Sequence, residues 1–110
     1  MFRFYVRYQM QKFSEHKNHS EKAIEHHLVD EVTARGGLCL KFSSHTTTGY
    51  PDRLVLMPGG RCCWFELKSK GMKPTRLQRL RHDELRALGF RVYVIDDRTM
   101  INDALGDAGF

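Results

Sequence analysis

Two acidic residues and a lysine occur within a mainly apolar stretch of this sequence, GYPDRLVLMPGGRCCWFELK at positions 49–68. The PGG tripeptide at 58–60 predicts a hairpin turn between two strands. Counting outward from that turn, Asp52 lies opposite Glu66, unless a bulge near the glycines shifts the pairing by one residue. Directly opposed residues have Cβ atoms about 4.5–5.5 Å apart, so two carboxylates placed there repel each other. We expect such a pair either to share a proton or to hold a cation.

Lys68 adds a positive charge to this pair, because it lies two residues beyond Glu66 and shares its face of the strand. Hard divalent cations such as Mg²⁺ take oxygen ligands and keep bound water. A lysine beside them can stabilise negative charge that develops during a reaction. Taken singly, Asp52 could be an acid of a turn, and Glu66 and Lys68 a solvated strand end. Their combination favours a functional site.

The first predicted helix can bring a further acid to this site. Ser20 is a good N-cap, and the helix runs through about Arg35 before two glycines end it. Its buried stripe consists of Ile24, Leu28 and Val32. Glu21 falls near the middle of that stripe, where a metal site could be its partner, although it could instead complement the helix dipole. Glu25 lies just beside the stripe and is the alternative ligand.

A second helix is predicted after the hairpin, capped by Thr75 and continuing to Leu88. Its leucines are expected to face inward, namely Leu77, Leu80, Leu85 and Leu88. Gln78 lies in the first turn, where it could orient a phosphate, a water molecule or Lys68. The alternative is an ordinary polar residue of a first turn.

Further predicted elements define the architecture. Strands are expected over Leu38–Phe42 and Phe90–Ile95, and a short helix over about Thr99–Leu105. Both faces of the hairpin are apolar, which predicts that it is covered on both sides. The order α-β-β-β-α-β therefore predicts an α/β fold, a single domain with a mixed sheet flanked by helices. The last two strands should be parallel and joined through the second helix.

Composition narrows the class of protein. The 110 residues suit one domain, and a net charge of +5 with a pI near 9.3 favours a polyanionic partner. No apolar run approaches the ~20 residues that span a bilayer, and charges interrupt the N-terminus too often for a signal peptide. The three cysteines suggest a reducing cytoplasm. The six histidines show no zinc spacing and are expected at the surface: His16, His19, His26, His27, His45 and His82.

The PD at 51–52 and the ELK at 66–68 resemble the PD-(D/E)xK nuclease superfamily. The surrounding segments SEKAIEHHLVDEVTARGGLCLKFSS, GYPDRLVLMPGGRCCWFELKSKGMKPTRLQ and LRALGFRVYVID resemble the VRR-NUC (virus-type replication-repair nuclease) family. This similarity covers about residues 20–96. It implies a restriction-endonuclease-like fold and a divalent-metal phosphodiesterase. Stand-alone members of the family are phage or bacterial proteins.

The resemblance also assigns roles to residues. It implies that Glu21, Asp52 and Glu66 are metal ligands, with the carbonyl oxygen of Leu67 as a further one. Lys68 would activate or orient the attacking water. Gln78 would match the glutamine that follows the ExK strand in the family and complete the catalytic set. Basic residues flank the site and could hold backbone phosphates: Arg53, Lys70, Lys73, Arg76 and Arg79.

The resemblance therefore implies a Mg²⁺- or Mn²⁺-dependent, structure-selective DNA endonuclease. Branched DNA such as four-way (Holliday) junctions would be cut by a homodimer in a bacterial cytoplasm. Outside the resemblance, residues 1–19 are predicted to form an N-terminal arm. Its residues 1–13 could be an edge strand, a subunit contact or a sticky arm, and Phe2–Tyr8 could contribute to the dimer contact. The alternatives are a DNA-binding module that has lost catalysis, a flap or other structure-specific nuclease, and a restriction-type nuclease, for which no recognition domain is visible.

Overall fold

The computed structural model describes residues 20–110, so the arm predicted over residues 1–19 lies outside it. The elements in chain order are α1 (Glu21–Ala34), β1 (Leu38–Lys41), β2 (Arg53–Met57), β3 (Arg61–Leu67), α2 (Arg76–Ala87), β4 (Val92–Ile95), a 3-10 turn (Arg98–Met100) and α3 (Ile101–Asp107). The predicted α-β-β-β-α-β order is confirmed. Within residues 20–110, no helix has both the length and the apolar character needed to cross a membrane.

The four strands form one mixed sheet in the order β1-β2-β3-β4. The first two pairings are antiparallel, and β4 lies parallel to β3. Leu54 pairs with Trp64 and Met57 with Arg61, so the register predicted from the PGG turn is confirmed without a shift. Asp52 and Glu66 are the next opposed positions, immediately beyond the start of β2.

One face of the sheet carries the core. Val55, Phe65 and Leu67 point from β2 and β3 into it and are fully buried beneath α1 and α3. The opposite face is covered only in part, because Leu54 and Trp64 are half-buried and Leu56 is exposed. The prediction that both faces of the hairpin are covered therefore holds for the core face and only in part for the opposite face.

Helix α1 begins and ends as predicted. The Ser20 hydroxyl accepts a hydrogen bond from the Ala23 amide at 3.0 Å, which satisfies one of the free N–H groups of the first turn. The chain leaves the helix at Arg35 and turns at Gly36, whose φ is +82°. The predicted stripe of Ile24, Leu28 and Val32 is completely buried. This packing fixes the direction from which Glu21 and Glu25 approach the sheet.

Helix α2 begins with a reciprocal pair of hydrogen bonds. The Thr75 hydroxyl accepts from the Gln78 amide at 3.1 Å, and the Gln78 side-chain oxygen accepts from the Thr75 amide at 2.9 Å. This capping box satisfies two backbone groups and holds the Gln78 side chain in one orientation. Its remaining amide nitrogen is thereby directed toward β3.

The inward face of α2 differs from the predicted one. Gln78, His82 and Leu85 face the sheet, with the i, i+4, i+7 spacing of a single helix face. Of the leucines expected inside, only Leu85 is buried, whereas Leu77, Leu80 and Leu88 are 40%, 52% and 75% exposed. The prediction fails because the sheet presents the polar Glu66 to this helix, so polar groups occupy the buried face.

Strand β4 is shorter than predicted. The expected strand began at Phe90, but the Phe90 amide donates to the Leu85 carbonyl at 3.1 Å and belongs to the end of α2. The strand covers only Val92–Ile95, and its two end residues are buried. The short C-terminal helix similarly lies about two residues later than predicted.

Gly49→Ala should destabilise the loop that leads into Asp52. Gly49 has a φ of +96°, and an added Cβ would lie 2.9 Å from Leu77 Cγ and 3.3 Å from the Leu77 carbonyl oxygen. Gly60 has a φ of +77°, but a Cβ there meets nothing within 4 Å, which makes it the matched control. We expect the free energy of unfolding to fall by about 2 kcal/mol or more at Gly49 and about 1 kcal/mol at Gly60. If urea titrations show the same loss in the free energy of unfolding for Gly49→Ala and Gly60→Ala, the close approach to Leu77 has no effect on stability.

Candidate active site

The candidate site lies at the rim of the sheet where β2 begins and β3 ends. Asp52 immediately precedes β2, and its Oδ1 accepts a hydrogen bond from the Leu67 amide at 3.1 Å. This bond ties the acid to the neighbouring strand. The Glu66 side chain is only 4% exposed, whereas that of Asp52 is 30% exposed. The Lys68 Nζ lies 3.8 Å from Glu66 Oε2.

The two carboxyl groups are held in surroundings that disfavour their charged forms. Burial, followed by the negative charges of Asp52 and Glu21, raises the pKa of Glu66 to about 7, against an opposing effect of Lys68. Burial likewise raises the pKa of Asp52, opposed chiefly by the hydrogen bond from the Leu67 amide. The negative charge of Glu21 acts in the same direction on both pKa values. Positive charge brought to this point would relieve the repulsion among all three.

Helix α2 holds Glu66 through both carboxylate oxygens. Gln78 Nε2 donates to Oε2 at 3.3 Å, and His82 Nε2 lies 3.4 Å from Oε1. Gln78 therefore has two tasks, capping its own helix and contacting the site. The sequence-predicted residues Asp52, Glu66, Lys68 and Gln78 are all brought together here.

His82 was expected among the surface histidines, and that prediction is wrong. Its side chain is 1% exposed, and His26 is also buried, whereas His45 is exposed as expected. Burial, followed by the positive charge of Arg86, lowers the pKa of His82, which favours a neutral imidazole beside Glu66. The spacing of four residues from Gln78 is the sequence signal that places both side chains on one helix face. His16 and His19 lie outside the described residues.

The two alternative acids of α1 occupy different environments. Glu25 is buried and forms ion pairs with the Arg53 guanidinium and, at 3.6 Å, with Lys41 Nζ. Its charge is therefore compensated within the protein. Glu21 lies exposed in the first turn, near enough to raise the pKa of both site carboxyls. Between the two, Glu21 is the acid available to the site.

The predicted phosphate-binding residues divide into two groups. Arg53 is only 10% exposed and pairs with Glu25 and, at 3.2 Å, with Asp52 Oδ2, so its guanidinium faces the interior instead of solvent. It belongs to the support of Asp52, contrary to the expected surface position. The other four are exposed along the loop after β3 and the start of α2, and together form what we call the basic border: Lys70, Lys73, Arg76 and Arg79. Within it, Lys70 Nζ lies 3.1 Å from Asp97 Oδ2.

The donor set fits a hard divalent cation of the Mg²⁺ type. Among residues 20–110, no three His, Cys, Asp or Glu side chains gather closely enough to hold a metal ion by themselves. Mg²⁺ commonly binds through only one or two carboxylates and completes its shell with water and substrate phosphates. Asp52 and Glu66 supply two such carboxylates, whose raised pKa values favour a bound cation over two free anions. The backbone amide of Leu67 donates a hydrogen bond to Asp52, so the carbonyl group of the same residue also lies beside the two carboxylates.

Glu66→Gln should flatten the pH dependence of stability of the metal-free protein. The folded-state pKa of Glu66 is about 7 against an ordinary value of 4.5, so between these values the folded state binds more protons than the unfolded state. The free energy of unfolding should therefore fall as the pH rises through this window. Urea titrations from about pH 4.5 to about pH 8 measure the fall. Asp103→Asn, at an exposed position of α3, is the control, and an unchanged slope in Glu66→Gln would contradict the prediction.

Comparisons with known proteins identify the family to which the chain belongs. No protein-family model matches the chain. A protein of Acyrthosiphon pisum secondary endosymbiont phage 1, described as "Putative nuclease p44", is 45% identical over 80 residues, which span 73% of this chain and 86% of that protein. A solved structure described as a VRR_NUC domain is 28% identical with a TM-score of 0.75, and the match covers 78% of this chain and 94% of the other. The chain therefore belongs to the VRR-NUC family of nucleases.

Proposed function

We propose that this nuclease is a divalent-metal-dependent DNA endonuclease of the PD-(D/E)xK type, with Mg²⁺ or Mn²⁺ as its cofactor. The observation that carries the proposal is the opposition of Asp52 and Glu66 at the rim of the sheet, with Lys68 Nζ 3.8 Å from Glu66. Two carboxylates with raised pKa values and one lysine form a combination suited to phosphodiester hydrolysis.

Each residue has a task in this proposal. Asp52, Glu66 and the Leu67 carbonyl would hold the cation, and Glu21 would act on it through bound water. The cation would lower the pKa of water and neutralise charge on the phosphate. Lys68 would orient the attacking water and stabilise the charge that develops as the water oxygen bonds to phosphorus and the bond from phosphorus to the sugar oxygen breaks. The proton that the water loses would be balanced by the proton that the departing sugar oxygen takes up. Gln78 would keep Glu66 directed into the site through its hydrogen bond to Oε2.

The basic border would hold the DNA strand beside these groups. Its four cations lie exposed on one continuous segment, from the loop after β3 into the first turn of α2. Phosphate contacts of this kind set the position of DNA and contribute most of the sequence-independent affinity. A substrate chosen by shape instead of sequence is consistent with such contacts.

Branched DNA, including four-way junctions, is the proposed substrate, and a homodimer is the proposed assembly. Cutting a junction symmetrically needs two active sites, and residues 20–110 of each chain provide one opposed pair of carboxylates, so a two-fold dimer is the economical solution. Light scattering of the purified protein, alone and with a junction, tests this. A monomer in both samples would contradict the proposed assembly.

The test of the function is cleavage of a labelled four-way junction, with a flap and a linear duplex of the same sequence for comparison. Reactions contain Mg²⁺, Mn²⁺ or a chelator. We expect paired nicks in the junction with either metal and none with the chelator. Lys68→Met should bind the junction without cutting it. Lys73→Met is the matched control in the basic border, where we expect weaker binding but a normal rate at saturating protein.

Two other cleavage results would change the proposed substrate or the proposed activity. Cleavage of the flap alone would keep the chemistry and replace the substrate. Binding without cleavage by the wild type, with every metal, would indicate a DNA-binding module that has lost catalysis.

A further inference from the structure

Both carboxylate oxygens of Glu66 are contacted by side chains of helix α2. Its two carboxylate oxygens each contact a different side chain of α2, His82 at Oε1 and Gln78 at Oε2, at 3.4 and 3.3 Å. The two residues are four positions apart, so their side chains lie one turn apart on one helix face. A carboxylate contacted at both oxygens from one rigid element has little freedom to rotate.

The burial of His82 requires a partner of this kind. Taking an imidazole out of water is costly unless its N–H groups find acceptors. His82 is 1% exposed, although the neighbouring outer face of α2 leaves leucines in solvent. The helix therefore buries His82 beside Leu85 while its other leucines stay exposed, and the group that the His82 side chain meets is Glu66. Core packing alone does not account for that choice.

The contact with His82 leaves Glu66 able to accept further hydrogen bonds or to bind a cation. A carboxylate can accept about four hydrogen bonds, and Oε1 has one contact to His82, whereas Oε2 faces Gln78 and Lys68. Holding Oε1 from behind fixes the plane of the carboxylate without occupying the side that faces Lys68. Partners of this type orient metal-binding side chains in many proteins.

We propose that His82 is a positioning residue, which acts through Glu66 and sets the affinity of the site for its divalent cation. The proposal rests on the metal-dependent function argued above. His82 itself touches neither cation nor substrate. Its contribution is to hold the buried carboxylate in the orientation that meets Asp52, before any cation arrives.

The experiment compares three variants of the whole protein. His82→Leu removes the donor at similar volume, His82→Gln keeps an amide donor near the position of Nε2, and Leu85→Ala loosens α2 without touching Glu66. Mn²⁺ binding to the DNA-free protein is measured by calorimetry, and junction cleavage is measured as a function of Mn²⁺ concentration. Thermal unfolding without metal reports the structural effect of each change.

We expect His82→Leu to weaken Mn²⁺ binding by roughly 10-fold or more. Its cleavage rate should approach that of the wild type at saturating Mn²⁺. His82→Gln should recover most of the affinity. Leu85→Ala should lower the unfolding temperature and leave Mn²⁺ affinity unchanged.

If His82→Leu binds Mn²⁺ as tightly as the wild type and cleavage still depends on Mn²⁺, the role proposed for His82 is overturned. The proposed nuclease function would stand in that case. A wild-type protein that neither binds Mn²⁺ nor cleaves would overturn the proposed function together with this inference. If His82→Leu does not fold, His82→Asn decides the matter, because its amide is one carbon too short to reach Glu66. Affinity equal to that of His82→Gln would then reject the proposal.

Discussion

Replacing Asp52 with asparagine should lower the rate of DNA cleavage by about 10³-fold or more, because the loss of metal-based charge stabilisation is worth several kcal/mol in the transition state. The change removes one of two carboxylates that face each other at the rim of the sheet. Asparagine keeps an oxygen that can accept the hydrogen bond from the Leu67 amide, which Asp52 accepts at 3.1 Å. The tie between β2 and β3 should therefore survive.

Stability measurements separate this effect from unfolding. The variant loses its ion pair with Arg53 but also loses the repulsion from Glu66, so the free energy of unfolding should change by no more than about 1 kcal/mol. Asp103→Asn removes an equal charge from an exposed position of α3 and should cleave like the wild type. Single-turnover cleavage at saturating protein is the measurement. Retention of more than about a tenth of the wild-type rate in Asp52→Asn would reject its role as a ligand.

Replacing Arg53 with leucine should lower the free energy of unfolding by about 3 kcal/mol, because it leaves the buried Glu25 carboxylate without its main partner. Arg53 pairs with Glu25 on α1 and with Asp52 Oδ2, and its side chain is only 10% exposed. Lys41 Nζ remains at 3.6 Å from Glu25 but is itself largely solvated, so its compensation is weak. Urea titration of the metal-free protein measures the loss.

Two further variants test whether the loss of stability comes from the unpaired Glu25 carboxylate. Removing both charges, as Glu25→Leu with Arg53→Leu, should restore most of the stability, since a buried ion pair can often be replaced by apolar side chains. Arg79→Leu, in the exposed basic border, should change stability by less than about 0.5 kcal/mol and weaken DNA binding. If Arg53→Leu instead keeps its stability and loses DNA affinity, the original expectation of a phosphate contact is the correct one.

The site could be predicted as far as it depends on local rules. The PGG turn and the alternation of side chains along a strand place Asp52 opposite Glu66, and the structure has that register. The Ser20 and Thr75 caps similarly define where α1 and α2 begin. These rules involve residues that are close along the chain, so their spacing in the sequence is enough to recognise which residues interact.

The pairing of distant charges could not be predicted in this way. Arg53 stands next to Asp52 in the sequence, and its basic character suggested a contact with DNA. In the fold, the alternation of β2 turns Arg53 toward the core, where α1 brings Glu25 to meet it. The partner lies 28 positions away, and no spacing rule connects the two.

The sequence by itself determined the order of the elements, the register of the hairpin and the meeting of two carboxylates with a lysine. Tertiary structure decided which face of α2 is buried, and therefore that His82 contacts Glu66 while Leu80 and Leu88 stay in solvent. The physical reason is that a buried carboxylate needs hydrogen-bond donors more than it needs apolar neighbours. Which helix supplies those donors is known only once the helix and the strand are packed together.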